Sequence, residues 1–350
     1  MNMNRRTVIT ALGAMGSAML NGCTDGKKTM APPATDYPLF GKVEQFDPAL
    51  SQIVDTRSKL AKLADGFWWS EGPVWDRVRQ RLYFSDVPQN TVFSWNKRDG
   101  LQTWLKPSGL PDGADPAPFD SAGINGMWIM ADGSLLAASH GKRAVTKIDI
   151  DRKAETILTG AYSGKKYNSP NDLVEAADGS IYFTDPPYGL KGQDSSPDKE
   201  QAHNGVYRLA KDGAVTLIDA SLTRPNGVAL SPDQKTLYVA QSDPDKQILK
   251  SYNIGANGSV SDNGLFFDAQ PLAGADAPGL PDGMCVAQSG HIFATGPGGV
   301  LILSPQGKLL GRINPGKACA NCCFGDDGRT LYLTASDTLA SIPLNINAWG

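Results

Sequence analysis

Six times along the chain an acidic or amide residue follows a short loop and opens an apolar run. The copies are Glu71 in SEGPVW, Asn125 in INGMWI, Asn171 in PNDLVE, Asn226 in PNGVAL, Asp282 in PDGMCV and Asn321 in ANCCFG. Successive marked residues stand 54, 46, 55, 56 and 39 positions apart. A unit of about 40 to 55 residues is the size of one blade in a radial β-array. The repeat therefore predicts an all-β chain, a six-bladed β-propeller, with equivalent positions of every blade facing one axis. Six oxygen-bearing side chains are expected to converge there, at the start of each innermost strand.

Each unit carries its own hairpin. Asn125-Gly-Met-Trp-Ile runs to Asp132-Gly133, and Asn171-Asp172-Leu-Val runs to Asp178-Gly179, each followed by a second apolar run. Asp-Gly between apolar runs favours tight turns, because glycine takes positive φ freely. The 38 glycines and 24 prolines fit many short strands joined by turns. No long amphipathic helix is evident. Residues from about Gln45 to Leu63 precede the first repeat. They are expected to supply the outer strand that closes the last blade, since little chain follows Asn321.

With 41% hydrophobic and 20% charged residues the chain should be folded, and a net charge of −3 with no basic stripe argues against nucleic acid as a partner. Residues 1–22 read as an export signal. Arg5-Arg6 precedes a short apolar stretch, and Leu20-Asn21-Gly22-Cys23 has the form of a lipoprotein cleavage box with Cys23 as the lipidated residue. A polar tether is expected over 23–44 and the propeller over 45–350. This predicts an exported, periplasmic protein that meets a membrane only through a lipid at Cys23. An oxidising compartment leaves room for one disulfide among Cys285, Cys319, Cys322 and Cys323. The neighbours Cys322 and Cys323 should face opposite sides of a strand.

Glu71, Asn171, Asn226 and Asp282 offer carboxylate and amide oxygens. That set suits Ca²⁺, with water completing the shell, and lacks the His or Cys of a dedicated zinc site. Such an ion could polarise a carbonyl while Asp282 accepts the proton of an attacking water, or Asp282 could serve as a ligand alone. Read singly, each Asn-Gly or Asp-Gly is no more than a turn; the convergence carries the metal reading.

Glu71-Gly-Pro-Val-Trp, Arg81-Leu-Tyr-Phe-Ser-Asp86, Ser169-Pro-Asn-Asp172, Tyr182-Phe-Thr-Asp-Pro-Pro-Tyr-Gly189, Pro225-Asn-Gly227, Pro281-Asp-Gly283 and Ala294-Thr-Gly-Pro-Gly-Gly299 occur in an order that resembles the gluconolactonase branch of the SMP-30/gluconolactonase/LRE-like family. The likeness runs from about Trp68 to Ser336. It implies a six-bladed propeller, a divalent ion on the axis, usually calcium, and hydrolysis of a small-molecule sugar lactone. By that likeness the metal ligands fall on Glu71, Asn171, Asn226 and Asp282, with Asp282 also at the position of the base. The mammalian branch carries a basic substrate-holding residue where this chain has Ser169, so substrate contacts should differ. Further candidates for the substrate wall are Asn125, His140, Tyr188 and Asn321, with Lys191–Asn204 as a lid. Trp68 or Trp69, but not both, could look inward. Other metal-dependent chemistry, on different lactones or phosphotriesters, and a non-catalytic propeller that binds a partner, are the competing readings. No GxSxG elbow is present to suggest a serine hydrolase.

Overall fold

A computed structural model describes residues 36–350. The expected export signal, Cys23 and most of the tether lie outside the described residues. Six antiparallel sheets of four or five strands follow one another along the chain, each ordered from an inner strand outwards, and a separate two-stranded hairpin pairs Ala161–Tyr162 with Lys165–Lys166. The inner strands are Ser70–Asp76, Ile124–Ile129, Leu173–Glu175, Pro225–Leu230, Met284–Val286 and Asn321–Gly325. These are blades one to six of the propeller, and each begins within two residues of one of the repeated residues.

The ring closes through chain that precedes the first blade. Leu60–Asp65 pairs antiparallel with Thr338–Pro343, completing the sixth blade as expected, with Asp65 opposite Thr338. Two features lay outside the expectation. Leu39–Phe40 extends that sheet beyond Leu60–Asp65, and Lys42–Gln45 pairs with Leu309–Asn314 as a fifth strand of the fifth blade. The propeller therefore begins at Leu39, and a tether reaching residue 44 overlaps two strands. The reason is steric: Gly41 at φ +65° turns the chain between the two sheets, where an added Cβ would lie 2.6 Å from the Asn314 carbonyl.

Apolar side chains fill the wedges between neighbouring blades. Phe293, Val300, Leu331 and Leu333 pack between blades five and six, and Leu136, Val145, Leu173 and Phe183 between blades two and three. Polar staples lie closer to the axis. The second strands of several blades end in a hydroxyl followed by an acid. Ser85 donates to the Asn125 carbonyl at 3.1 Å, Thr184 to the Asn226 carbonyl at 2.7 Å, and Thr295 to the Ala320 carbonyl at 3.3 Å. Each hydroxyl thus satisfies a carbonyl of the next blade's inner strand. The acid that follows Ser85 and Thr184 ties its own blade's entry loop: Asp86 accepts from the Trp68 and Trp69 amides, and Asp185 from the Asn168 and Ser169 amides.

At Glu71, Ile124 and Pro225 the ladder to the second strand breaks register before resuming three residues later, at Val74, Met127 and Val228. A bulge of this kind re-aims the side chains at a strand end. It also lets backbones come close on the axis. A Cβ on Gly227 would meet the Asp282 carbonyl at 2.0 Å and Gly283 Cα at 2.7 Å, both rigid backbone. Gly227→Ala is expected to cost about 3 kcal/mol through overpacking and to displace Asp282. Denaturant melts report the first effect and turnover the second.

Candidate active site

Five of the six repeated residues come together. Glu71, Asn125, Asn171, Asn226 and Asp282 line a cavity of about 470 Å³ at one mouth of the channel. Asn321 does not join them. It pairs with Thr334 in an unbroken ladder, and its side chain lies beneath the others, donating through Nδ2 to Glu71 Oε2 at 3.3 Å. The sixth copy has Cys322 where copies one, two, four and five have glycine, and no bulge forms there. Its place is to orient Glu71, not to reach the cavity wall.

The cavity floor is acidic. Glu71 is buried and accepts the Gly72 amide at 2.5 Å. Burial, then the charge of Asp172, push its carboxyl above the usual carboxylate range. Asp282 is raised well above its usual range by burial and then by the charges of Glu71 and Asp172. Asp172, not anticipated as a site residue, lies beneath the cavity rather than in its lining and spans two blades: it accepts the Leu173 amide at 2.9 Å and the Val228 amide at 3.2 Å. Burial raises it to about 7. Its signal in the sequence was an acid directly after a repeated Asn, easily taken for part of the turn.

None of the residues lining the cavity is Lys or Arg. Carboxyls buried together without a counter-charge favour a bound cation. Asn226 supplies an independent observation. Its Nδ2 donates to Ser242 Oγ at 2.7 Å, and its buried Oδ1 has no partner. An orphaned buried oxygen is costly unless something outside the protein satisfies it. Among the described residues no group of three or more His, Cys, Asp or Glu converges to hold a metal. The donors here are mixed: the carboxylates of Glu71 and Asp282 with the amide oxygens of Asn171 and Asn226. That set fits a hard divalent cation completed by water.

The walls follow from the loops. Ser169 is a clamp. Its hydroxyl donates to the Pro186 carbonyl at 2.6 Å and accepts the Gly189 amide at 2.9 Å, fixing the turn that carries Tyr188 into the cavity. Where a basic residue was expected in relatives, this chain positions a phenol through a neighbouring loop. Of the tryptophan pair, Trp69 lines the cavity and Trp68 is 71% exposed. The stretch Lys191–Asn204 is not a lid. It contributes nothing to the cavity lining, and Gln201 and Asn204 anchor it through the Tyr162, Lys165 and Thr223 carbonyls.

His140 is buried in the wall, 3.1 Å from Ser121 Oγ through Nδ1 and 3.4 Å from Asn125 Nδ2 through Nε2. Burial lowers it from 6.5 to about 4. It is therefore neutral at the pH of any ordinary assay, and suits a hydrogen-bonding role rather than a titrating one. Its stabilising contribution is complete above 6.5 and is lost as pH falls through 4, because only the unfolded chain is protonated between. Asp172 and Asp185, both raised to about 7, act in the opposite sense. The comparison must therefore be with His140→Gln, which should remove roughly 3 kcal/mol of acid sensitivity. Urea melts across that window measure it, and parallel losses in both proteins would contradict it.

Comparison with known proteins agrees with this architecture. The family model described as "SMP-30/Gluconolactonase/LRE-like region" matches residues 69–337. A gluconolactonase of Zymomonas mobilis is 39% identical over 97% of each chain. The pentonolactonase XacC of Haloferax volcanii is 26% identical, covering 82% of this chain and 85% of its own. Among solved structures, a gluconolactonase of Xanthomonas campestris superposes with a TM-score of 0.75 at 32% identity, covering 88% of this chain and 97% of its own. With the blade order, the mixed oxygen donors and the matched span in agreement, this chain belongs to the SMP-30/gluconolactonase/LRE-like family.

Proposed function

We propose that this lactone hydrolase opens an aldonolactone, D-glucono-1,5-lactone first among them, with a divalent cation, Ca²⁺ by the hardness of its donors, held by Glu71, Asn171, Asn226 and Asp282. The observation that carries the reading is the unpartnered Asn226 Oδ1 beside buried Glu71 and Asp282 in a cavity without a basic residue. The relatives that act on glucono- and pentonolactones support the substrate class.

When bound, the cation would polarise the lactone carbonyl and stabilise the oxyanion that forms there. The protein's residues supply the remaining chemistry. Asp282 takes a proton from water as the water oxygen adds to the carbonyl carbon. The same proton passes to the ring oxygen as the acyl C–O bond breaks, leaving the open hydroxy acid. In the metal-free protein burial and then the charges of Glu71 and Asp172 hold Asp282 above its usual range; a bound cation would oppose that shift. Asn125, His140 and Tyr188 offer hydrogen bonds to the sugar hydroxyls, and Trp69 an apolar ring face. We also propose that the protein works outside the cytoplasm, as the Arg5-Arg6 segment and the Cys23 box suggest.

Hydrolysis of D-glucono-1,5-lactone by the full chain, corrected for spontaneous opening, tests the reading. Turnover should disappear in EDTA and return with Ca²⁺. Absence of turnover above background in a calcium-loaded protein would reject this substrate.

A further inference from the structure

Four cysteines lie in the last two blades, and their arrangement is not the one their spacing suggests. Cys319 and Cys322 have the CxxC spacing of a redox pair. Yet Cys319 Sγ is turned to the Thr334 carbonyl at 3.4 Å and lines the active-site cavity. Cys323 faces the other way, packed with Trp75 and Tyr332 at the junction with blade one. Cys322 instead meets Cys285. Their sulfurs are 3.7 Å apart, across the junction between the inner strands of blades five and six, and neither is bonded to another cysteine.

We infer that Cys285 and Cys322 form a reversible disulfide that clamps blade five to blade six. Three observations carry this. The sulfurs are already in contact, so closing to the bonded distance requires movement of less than about 2 Å. Both residues line a second cavity of about 930 Å³ at the opposite mouth of the channel, which gives a small disulfide a way in. Cys285 is the less buried of the two, so it is the first to react.

The chemistry balances with an external disulfide such as oxidised glutathione as the oxidant. The Cys285 thiolate attacks one of its sulfurs, forming a mixed disulfide and releasing one glutathione thiol. Cys322 then attacks the Cys285 sulfur and releases the second. The protein loses two protons and two electrons, and the external disulfide gains both. Burial holds the Cys285 thiol well above its usual range, so exchange at neutral pH is slow and a mildly alkaline buffer speeds it.

The bond would join cysteines that stand three residues after Asp282 and one residue after Asn321. It would brace the acidic floor from the side away from substrate. Inter-blade contact there already includes apolar packing, the Thr295 staple and the Gly283 amide donating to the Ala320 carbonyl at 2.8 Å.

The test oxidises the native full chain with oxidised glutathione, alkylates the remaining thiols in denaturant and maps peptides without reduction. The expected product is one cross-linked peptide pair joining Cys285 to Cys322, with Cys319 and Cys323 alkylated. The melting temperature should rise by about 5 °C and fall back with dithiothreitol. Cys285→Ser, at a half-buried position that tolerates a small polar group, should fold and lose the rise. The inference is overturned if both thiols remain alkylatable under conditions that oxidise the unfolded chain, or if the mapped bond runs through any other cysteine.

Discussion

Asp282→Asn is expected to lower kcat/KM for lactone hydrolysis at saturating Ca²⁺ about 10³-fold while leaving the fold in place. Asparagine keeps a neutral oxygen where Asp282 has a carboxylate, so a hard cation binds more weakly but can still be saturated. What disappears is the ability to hold a proton during attack. It also relieves like-charge repulsion among Glu71, Asp172 and Asp282, so the variant without metal should melt no lower than the wild type. Steady-state turnover together with Ca²⁺-dependent melting separates the two effects. Activity within about threefold of wild type would remove Asp282 from the proton-transfer role and leave it a ligand.

The second large effect belongs to Glu71→Gln, and it changes sign with the metal. In EDTA the wild type buries a carboxyl that burial and Asp172 push above its usual range. A neutral amide of the same shape removes that penalty, so the variant should melt higher. With Ca²⁺ present the order should reverse. Loss of one of two carboxylate donors is expected to weaken binding about 100-fold, which withdraws about 2.7 kcal/mol of ligand-linked stability at saturating ion. Thermal melts at graded Ca²⁺ concentrations trace the crossover. Parallel curves for the two proteins, with no crossing, would show that Glu71 holds no cation.

The blade count and the ring of oxygen donors were legible because they repeat. A position that recurs six times at blade spacing announces an axis even when each copy alone is only a turn. Closure by chain before the first blade was legible for a related reason: the last repeat leaves too few residues to complete its own sheet. What the repeat concealed was the difference between copies. Asn321 looks equivalent to Asn226, yet Cys322 replaces the glycine that a bulge on the axis requires, and the side chain stays below the cavity. Asp172 was hidden because its importance comes from two backbone amides in different blades, one of them 56 residues away. Lys191–Asn204 is polar like a lid, but Gln201 and Asn204 spend their amides on backbone carbonyls. Local composition does not report such partners.

The seam that completes the sixth blade has a bearing on how the molecule comes into being. Asp65 finds its partner Thr338 more than 270 residues later. During synthesis the strand Leu60–Asp65 emerges early, and its apolar members Leu60 and Leu63 must wait for nearly the whole chain. Until then the ring is an open crescent with a bare strand edge at its growing end, the kind of surface that pairs with other chains. Contacts of such long sequence separation also slow the search for the native state. The element that closes the finished ring is the one that leaves its nascent form most in need of protection.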